Sequence, residues 1–179
     1  MPKIEIQQVS MQDLEALAKI EHNYQTSNVW QMERLKNEDQ LVISFREIRL
    51  PRSVRVEYPH IPAFSDPDWL NQGFVLMAVF SGKVVGYIRL KDQGAPKTIW
   101  VTDLVVEDET RRQGIASGLV ISAQDWAAQR GIRRIIIGMQ SKNYPAIKMA
   151  QKLGYEFCGY NDHYYSTQDI ALFFARYIR

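Results

Sequence analysis

The apolar positions of this chain alternate in some stretches and recur at helical spacing in others, and the two patterns take turns. Ile4, Ile6 and Val9 predict a first strand. Leu14, Leu17, Ala18 and Ile20 predict a short helix, entered at Ser10 as its cap. Residues 40–58 read as extended, because Leu41, Ile43 and Phe45, then Val54 and Val56, alternate with polar neighbours. Pro51, Pro59, Pro62 and Pro67 interrupt what lies between and after. This part is expected to be irregular and to shape a substrate mouth. Gly73–Phe80 and Lys83–Leu90 flank Ser81-Gly82, a two-residue turn, and predict a β-hairpin.

The second half is more regular. Lys97–Val106 predicts a strand. A helix follows from Ile115 to Arg130, with Ile115, Leu119, Ala123 and Trp126 on one face and Gly131 as its stop. Arg133–Met139 carries the apolar run Ile135-Ile136-Ile137 and predicts a buried strand. Another helix runs from Asn143 to Leu153 and stops at Gly154. Closing strands are expected around Tyr155–Tyr160 and Ile170–Tyr177. Strands and helices in this order imply a mixed α/β sandwich rather than a doubly wound parallel sheet.

Composition narrows the class. The 179 residues suit one domain, 1–179, with a sizeable core. Net charge is +2, from 22 basic and 20 acidic residues, which argues against a dedicated nucleic-acid or membrane-surface binder. Arg46, Arg49, Arg52 and Arg55, and Arg130, Arg133 and Arg134, read as solvated faces. Cys158 is the one cysteine, so no internal disulfide forms, and it reads as a packing residue rather than a nucleophile. The start Met1-Pro2-Lys3-Ile4-Glu5 lacks a signal-peptide pattern, and no apolar run reaches the roughly 20 residues of a membrane span. The expected home is a reducing cytoplasm. One Cys and three scattered His predict no metal site.

The candidate chemistry sits at Arg111-Arg112-Gln113-Gly114-Ile115-Ala116, between a strand and a helix start. The first turn of a helix has backbone N–H groups without internal partners, and its dipole favours negative charge. Gly114 and Ala116 leave room for a pyrophosphate to approach, and Arg111 and Arg112 offer charge and fork geometry for phosphate. The plainer reading is an ordinary strand–helix connection with a solvated arginine pair. The glycine patterns of nucleotide phosphatases and of dinucleotide-binding folds are absent.

A second segment adds to the first. Asn143-Tyr144-Pro145-Ala146 opens a helix, and Lys152, Gly154 and Tyr155 end it. Together with Arg111, Gly114 and Ala116, these positions resemble the two signatures of the GNAT superfamily of acyl-CoA-dependent N-acetyltransferases. The resemblance covers residues 73–158. The stretches Tyr24-x-Thr26, Val29-Trp30-Gln31-Met32 and Leu50-Pro51-Arg52-Ser53, and the tail from Tyr164 to Phe174, are similar to streptothricin acetyltransferases and their relatives.

The resemblance implies a mostly antiparallel, twisted mixed sheet flanked by helices. It also implies direct transfer of an acetyl group from acetyl-CoA to a primary amine, on a small molecule such as a cationic antibiotic or on a protein. The pantetheine arm would lie between the strand ending at Val106 and the strand ending near Met139. Backbone groups of Leu104, Val105 and Val106 would pair with it, and the Val106 N–H would face the oxyanion. The loop and helix start at Arg111, Arg112, Gln113, Gly114, Ile115, Ala116 and Ser117 would hold the pyrophosphate, and the Asn143 side chain would contact the arm.

Two positions depart from the family. Ala150 stands where a tyrosine often serves as general acid, and Gly138 stands where some members carry a glutamate near the amine. A thiol of pKa about 8.5 is a tolerable leaving group without an acid. The amine needs a base more, because a lysine-like amine of pKa about 10.4 is mostly protonated at pH 7. Asp103 is the first candidate base, beside Glu107 and Asp108. His163, Tyr164 and Tyr165 form a second group, and Tyr144 is a candidate acid on the wrong turn of its helix. His22 and His60 lack a partner pattern and read as structural or exposed. Glu57, Asp66 and Asp68 are candidates to receive a cationic acceptor. The rival reading is an acyl-CoA-binding sensor or interaction module with little turnover. Monomer and homodimer both remain open, the latter through pairing of the Ile170–Ile178 tail.

Overall fold

The computed structural model describes residues 3–179, so Met1 and Pro2 of the N-terminal reading lie outside the described residues. The elements in chain order are β1 (Ile4–Gln8), α1 (Leu14–Ala18), β2 (Tyr24–Lys36), β3 (Leu41–Val56), α2 (Pro67–Asn71), β4 (Phe74–Phe80), β5 (Lys83–Lys91), β6 (Thr98–Val106), α3 (Ile115–Ala128), β7 (Arg134–Gln140), α4 (Tyr144–Lys152), β8 (Glu156–Asn161) and β9 (Ala171–Tyr177). Seven strands form one sheet in the order β1-β4-β5-β6-β7-β9-β8, while β2 and β3 pair as a separate ribbon. Among the described residues only β6 and β7 run parallel, so the sheet is mixed and mostly antiparallel, as expected.

Local chemistry explains the ends. Ser10 and Asp13 form a reciprocal capping box ahead of α1, with the Ser10 N–H donating to the Asp13 carboxylate at 2.8 Å. Ser81 and Gly82 both take positive φ, as a tight hairpin turn between β4 and β5 requires. Phe74 stacks on Trp126 at 4.0 Å between ring centroids, and Arg130 covers the Trp126 ring at 4.3 Å, which pins the end of α3 to β4.

Two cores result. Leu119, Val120 and Ala123 of α3 and Ile147 and Ala150 of α4 pack with Ile88, Ile99, Val101, Ile135 and Ile137. A second cluster joins Leu14 and Leu17 of α1 with Trp69, Met77, Tyr87 and Val105. Ile99 and Val101 belong to the first core, yet Val105 belongs to the second. A bulge causes the reversal: Arg89 pairs with Asp103 and Leu90 with Val101, so Thr102 is the extra residue. From Asp103 onward β6 presents the opposite alternate set to each face.

The reading of residues 40–58 as extended agrees with the structure, and the irregularity expected around Pro51 is confined to a bulge. Leu41–Val56 is one long strand, and Tyr24–Lys36, which the sequence pattern did not mark as a strand, is its antiparallel partner. Thr26 pairs with Val54 and Asn28 with Arg49, so Leu50–Ser53 bulge opposite Ser27 alone. Pro51 falls in that bulge, where no ladder donor is needed. The ribbon is fixed by Trp30, Phe45, Phe157 and Phe174, whose ring centroids lie 5.4–6.4 Å apart. Its arginines do form a solvated face, with Arg46 on Glu33 and Arg55 on Glu21. The tail strand β9 lies between β7 and β8 and is paired on both sides, which removes it as an edge for pairing across a dimer. Cys158 is exposed rather than a packing residue.

Candidate active site

β6 and β7 pair only from Thr98–Val101 against Arg134–Ile137; beyond that the two strands part. The opening this leaves is lined by Thr102 and Leu104 on one side and Gly138, Met139 and Gln140 on the other, around a small cavity of about 50 Å³. A much larger cavity, about 660 Å³, adjoins it and shares Tyr58, Leu104, Asn143 and Ala146 with it. The large cavity is bounded by Val106, the loop at Arg111, Arg112 and Gly114, and the first turn of α3 at Ile115, Ala116 and Ser117.

The strand alternation decides which backbone groups face the opening. The Glu107 N–H donates to the Val85 carbonyl at 2.7 Å, so the Val105 N–H and C=O also face β5, two residues earlier. Leu104 and Val106 face away from β5, toward the gap. The expectation that Val105 pairs with pantetheine is therefore corrected; its side chain fills the second core and its backbone pairs with Tyr87.

The helix start is open to an anion. Gly114 has φ +82°, a left-handed conformation, and an added Cβ would meet no atom within 4 Å. The first helical bond, Gly118 N–H to Gly114 C=O, leaves the N–H groups of Ile115, Ala116 and Ser117 without helical partners. No side chain caps them and no acidic residue occupies the first turn. Arg112, Lys148 and Lys152 line the same cavity. Gln113 is exposed and is not among the lining residues.

Arg111 has a different role from a phosphate fork. Its Nε donates to the Val106 carbonyl at 2.8 Å, one terminal nitrogen to Asp108 at 2.9 Å, and the other to the Asn23 carbonyl at 3.0 Å. All three nitrogens are thus engaged within the protein. The side chain ties the loop to β6 and to the chain before β2, and it occupies the Val106 carbonyl while leaving the Val106 N–H. The Asn143 carboxamide oxygen accepts from the Ala146 N–H at 3.2 Å, capping α4.

Asp103 is not a free base at the strand end. Its side chain is 1% exposed. One carboxylate oxygen receives the Tyr58 hydroxyl at 2.8 Å and the His60 Nε2 at 2.7 Å, and the other receives the Thr102 hydroxyl at 3.2 Å. Burial alone would raise the Asp103 carboxyl, but His60, Tyr58 and the nearby Arg89 outweigh it and hold the group below the usual carboxylate range. Tyr58 is pushed well above the usual phenol range by burial and by Asp103, so it stays a donor.

Both histidines, read as structural or exposed, have partners that no sequence pattern marks. His22 is held through both ring nitrogens, to the Ile20 carbonyl at 2.7 Å and the Tyr87 hydroxyl at 2.9 Å, and burial keeps it below the usual histidine range. His60 uses one nitrogen on Asp103, its side chain is 44% exposed, and it lines the small cavity. No sequence spacing marks this pair, which lies 43 positions apart.

The other candidates lie elsewhere. Glu107 pairs with Lys83 and Asp108 with Arg111. The Tyr144 hydroxyl donates to Glu47 on the ribbon at 2.7 Å. Tyr165 lines the small cavity, while Tyr164 and His163 do not. Glu57, Asp66 and Asp68 line neither cavity, and Asp66 caps α2. Ala150 is fully buried under the sheet, and a Cβ on Gly138 would meet the Phe173 ring at 3.3 Å and the Tyr165 hydroxyl at 4.0 Å.

A parted parallel strand pair beside an uncapped helix start agrees with the family model that matches residues 38–155, the acetyltransferase (GNAT) family. The chain belongs to this family. Its fold is similar to that of a nourseothricin acetyltransferase, with a TM-score of 0.82 at 20% identity, covering 98% of this chain and 99% of that one. It is also similar to a Bacillus anthracis strain Ames protein named for streptothricin acetylation, in complex with acetyl coenzyme A, with a TM-score of 0.76 at 17% identity and coverage of 98% and 100%. Among curated proteins, human N-acetylaspartate synthetase is 26% identical over 88 residues, which is 49% of this chain and 29% of that protein. The match thus spans well under half the length of that relative.

Proposed function

We propose that this GNAT chain transfers an acetyl group from acetyl-CoA to a primary amine, as one domain spanning residues 1–179. The observation that carries the reading is the adjacency of the two cavities, which share Tyr58, Leu104, Asn143 and Ala146 and reach from the uncapped α3 start to the gap between β6 and β7. The pyrophosphate suits the free N–H groups of Ile115, Ala116 and Ser117, with Arg112, Lys148 and Lys152 as the nearby cations. The pantetheine arm suits the gap, where Leu104 and Val106 present their backbone in place of a paired strand.

The Val106 N–H is the donor for the oxyanion of the tetrahedral intermediate; one such donor typically contributes about a hundred- to a thousandfold in rate. The C–N bond forms first, the C–S bond breaks as the tetrahedral intermediate collapses, and the CoA thiolate leaves without the acid that position 150 lacks. The acceptor class includes a streptothricin-type antibiotic, for which two of the structural neighbours are named, and a protein amino group, as for the Escherichia coli ribosomal-protein-S18-alanine N-acetyltransferase. A cytoplasmic monomer or homodimer suits the exposed, unpaired Cys158.

Thermal unfolding with and without acetyl-CoA tests the reading. A ligand that binds only the folded state raises the midpoint, by about 2.7 kcal/mol of stability at a hundred times its Kd. The wild type is expected to respond, and Ala116→Glu, which puts a carboxylate at the helix start, is expected to respond far less. No response from either protein at millimolar acetyl-CoA contradicts the reading.

A further inference from the structure

We infer that His60 takes the proton of the acceptor amine, with Asp103 and Tyr58 as its positioning residues. This rests on the acetyl-transfer reading above. The geometry has three parts. His60 lines the small cavity at the gap between β6 and β7, as does Gly138, the position where a family glutamate is missing. Its Nε2–H donates to the buried Asp103 carboxylate at 2.7 Å, which fixes the tautomer and leaves Nδ1 as the acceptor nitrogen. Among the described residues Nδ1 has no hydrogen-bond partner, and the ring is partly open to solvent.

The bulge at Thr102 is what builds this pair. Without the extra residue, Asp103 would continue the alternation of Ile99 and Val101 and point into the α3 core. With it, the carboxylate turns to the other face, where the chain after β3 carries Tyr58 and His60. The groups facing the ring are Asp103 from β6, Tyr58 from its own segment, Tyr165 from the β8–β9 connection, and His22 from the α1–β2 connection; Arg89 of β5 stands behind Asp103. Among the described residues, Asp103 is therefore the one anion in contact with the imidazole. Both its oxygens already accept hydrogen bonds and its side chain is 1% exposed, so it orients His60 and steadies the imidazolium while the ring handles the proton.

The step balances as follows. An ammonium R–NH3+ gives one proton to His60 Nδ1 and becomes the free amine. The amine nitrogen attacks the thioester carbon, and the C–N bond forms. The C–S bond then breaks, and the departing thiolate takes the second nitrogen proton directly or through water. The imidazolium returns its proton to solvent. The products are the acetamide, the CoA thiol and one released proton.

The test uses the full chain with acetyl-CoA and two amine probes, nourseothricin and a peptide with a free N-terminal alanine, following thiol release. His60→Ala and His60→Gln are expected to lower kcat by about a hundredfold or more. KM for acetyl-CoA and the thermal shift it produces should stay near wild type, because His60 does not line the large cavity at the α3 start. The acid limb of the wild-type pH–rate profile should vanish in His60→Gln. Added imidazole should restore part of the His60→Ala rate, which a purely structural residue would not show. Asp103→Asn should lower kcat without moving the acetyl-CoA shift. A His60→Ala enzyme within threefold of wild type, with the same pH profile and no imidazole effect, overturns the assignment while leaving acetyl transfer intact. A wild type that acetylates neither probe removes the transfer reading and this assignment together.

Discussion

His60 Nε2 and the Asp103 carboxylate meet at 2.7 Å across the mouth of the β6–β7 gap, one group partly exposed and the other almost wholly buried. A buried carboxylate is costly unless its oxygens are filled, and here Tyr58, His60 and Thr102 fill them. The pair thus joins fold stability to site chemistry.

Its pH dependence has a definite sign. The folded-state pKa of Asp103 lies below its unfolded value, so the stabilisation is complete above the unfolded value of about 3.9 and is lost as pH falls through the folded one. Asp103→Asn should cost about 1–3 kcal/mol at pH 7. The gap between the urea midpoints of wild type and variant should narrow as pH falls from 7 to 3. A gap that is the same at both pH values would exclude this account of the carboxylate.

Arg111 should behave as a tie rather than a phosphate ligand. Arg111→Ala loses bonds to two backbone carbonyls and to Asp108, and should destabilise by about 1.5–3 kcal/mol. Lysine should rescue little, because it cannot reach three acceptors in a fork. The acetyl-CoA affinity of folded Arg111→Ala should fall less than that of Ala116→Glu, measured by calorimetric titration; the reverse order would restore Arg111 as a phosphate ligand.

Two glycines of the α3 start should respond in opposite directions. Gly114→Ala places a side chain at φ +82° and should cost about 1–2 kcal/mol, although its Cβ meets nothing. Gly118→Ala sits within the helix, with its Cβ at an ordinary 3.5 Å from the Ile6 side chain, and should gain roughly 0.4–1 kcal/mol. Thermal midpoints of the two variants decide; equal shifts would mean that the left-handed conformation carries no strain.

The sequence carried the parts of the fold that local rules write. The β4–β5 turn, both signature helices and their glycine stops are visible because each depends on residues a few positions apart. The β2–β3 ribbon was half-hidden, since Tyr24–Lys36 mixes polar residues on both faces and Pro51 looks like a breaker until the bulge opposite Ser27 accommodates it. The loop at Arg112–Ser117 was legible through its motif, whereas the commitment of Arg111 to Val106 and Asn23 was not, because the partners are backbone atoms. Asp103 was found for its place before the cofactor strand. Its partner His60 was missed, as only the bulge at Thr102 and a turn 43 residues upstream bring the two together.

The ribbon should depend on its aromatic anchor. Trp30→Ala removes the ring that touches Phe45, Phe157 and Phe174, and should cost close to the low end of the roughly 3–5 kcal/mol seen for large aromatic truncations. Hydrogen exchange should quicken in β2 and β3 before β4–β6. Uniform quickening across both sheets would show that the ribbon does not open on its own.

The central claim is acetyl transfer to an amine across the β6–β7 gap. Its most direct measurement is thiol release from acetyl-CoA with and without nourseothricin or an alanine-terminated peptide, with mass spectrometry of the acceptor. The account predicts release that depends on an acceptor and adds one acetyl group to its amine. Tight acetyl-CoA binding with no acetylated product from either amine would contradict it and leave an acyl-CoA-binding module in its place.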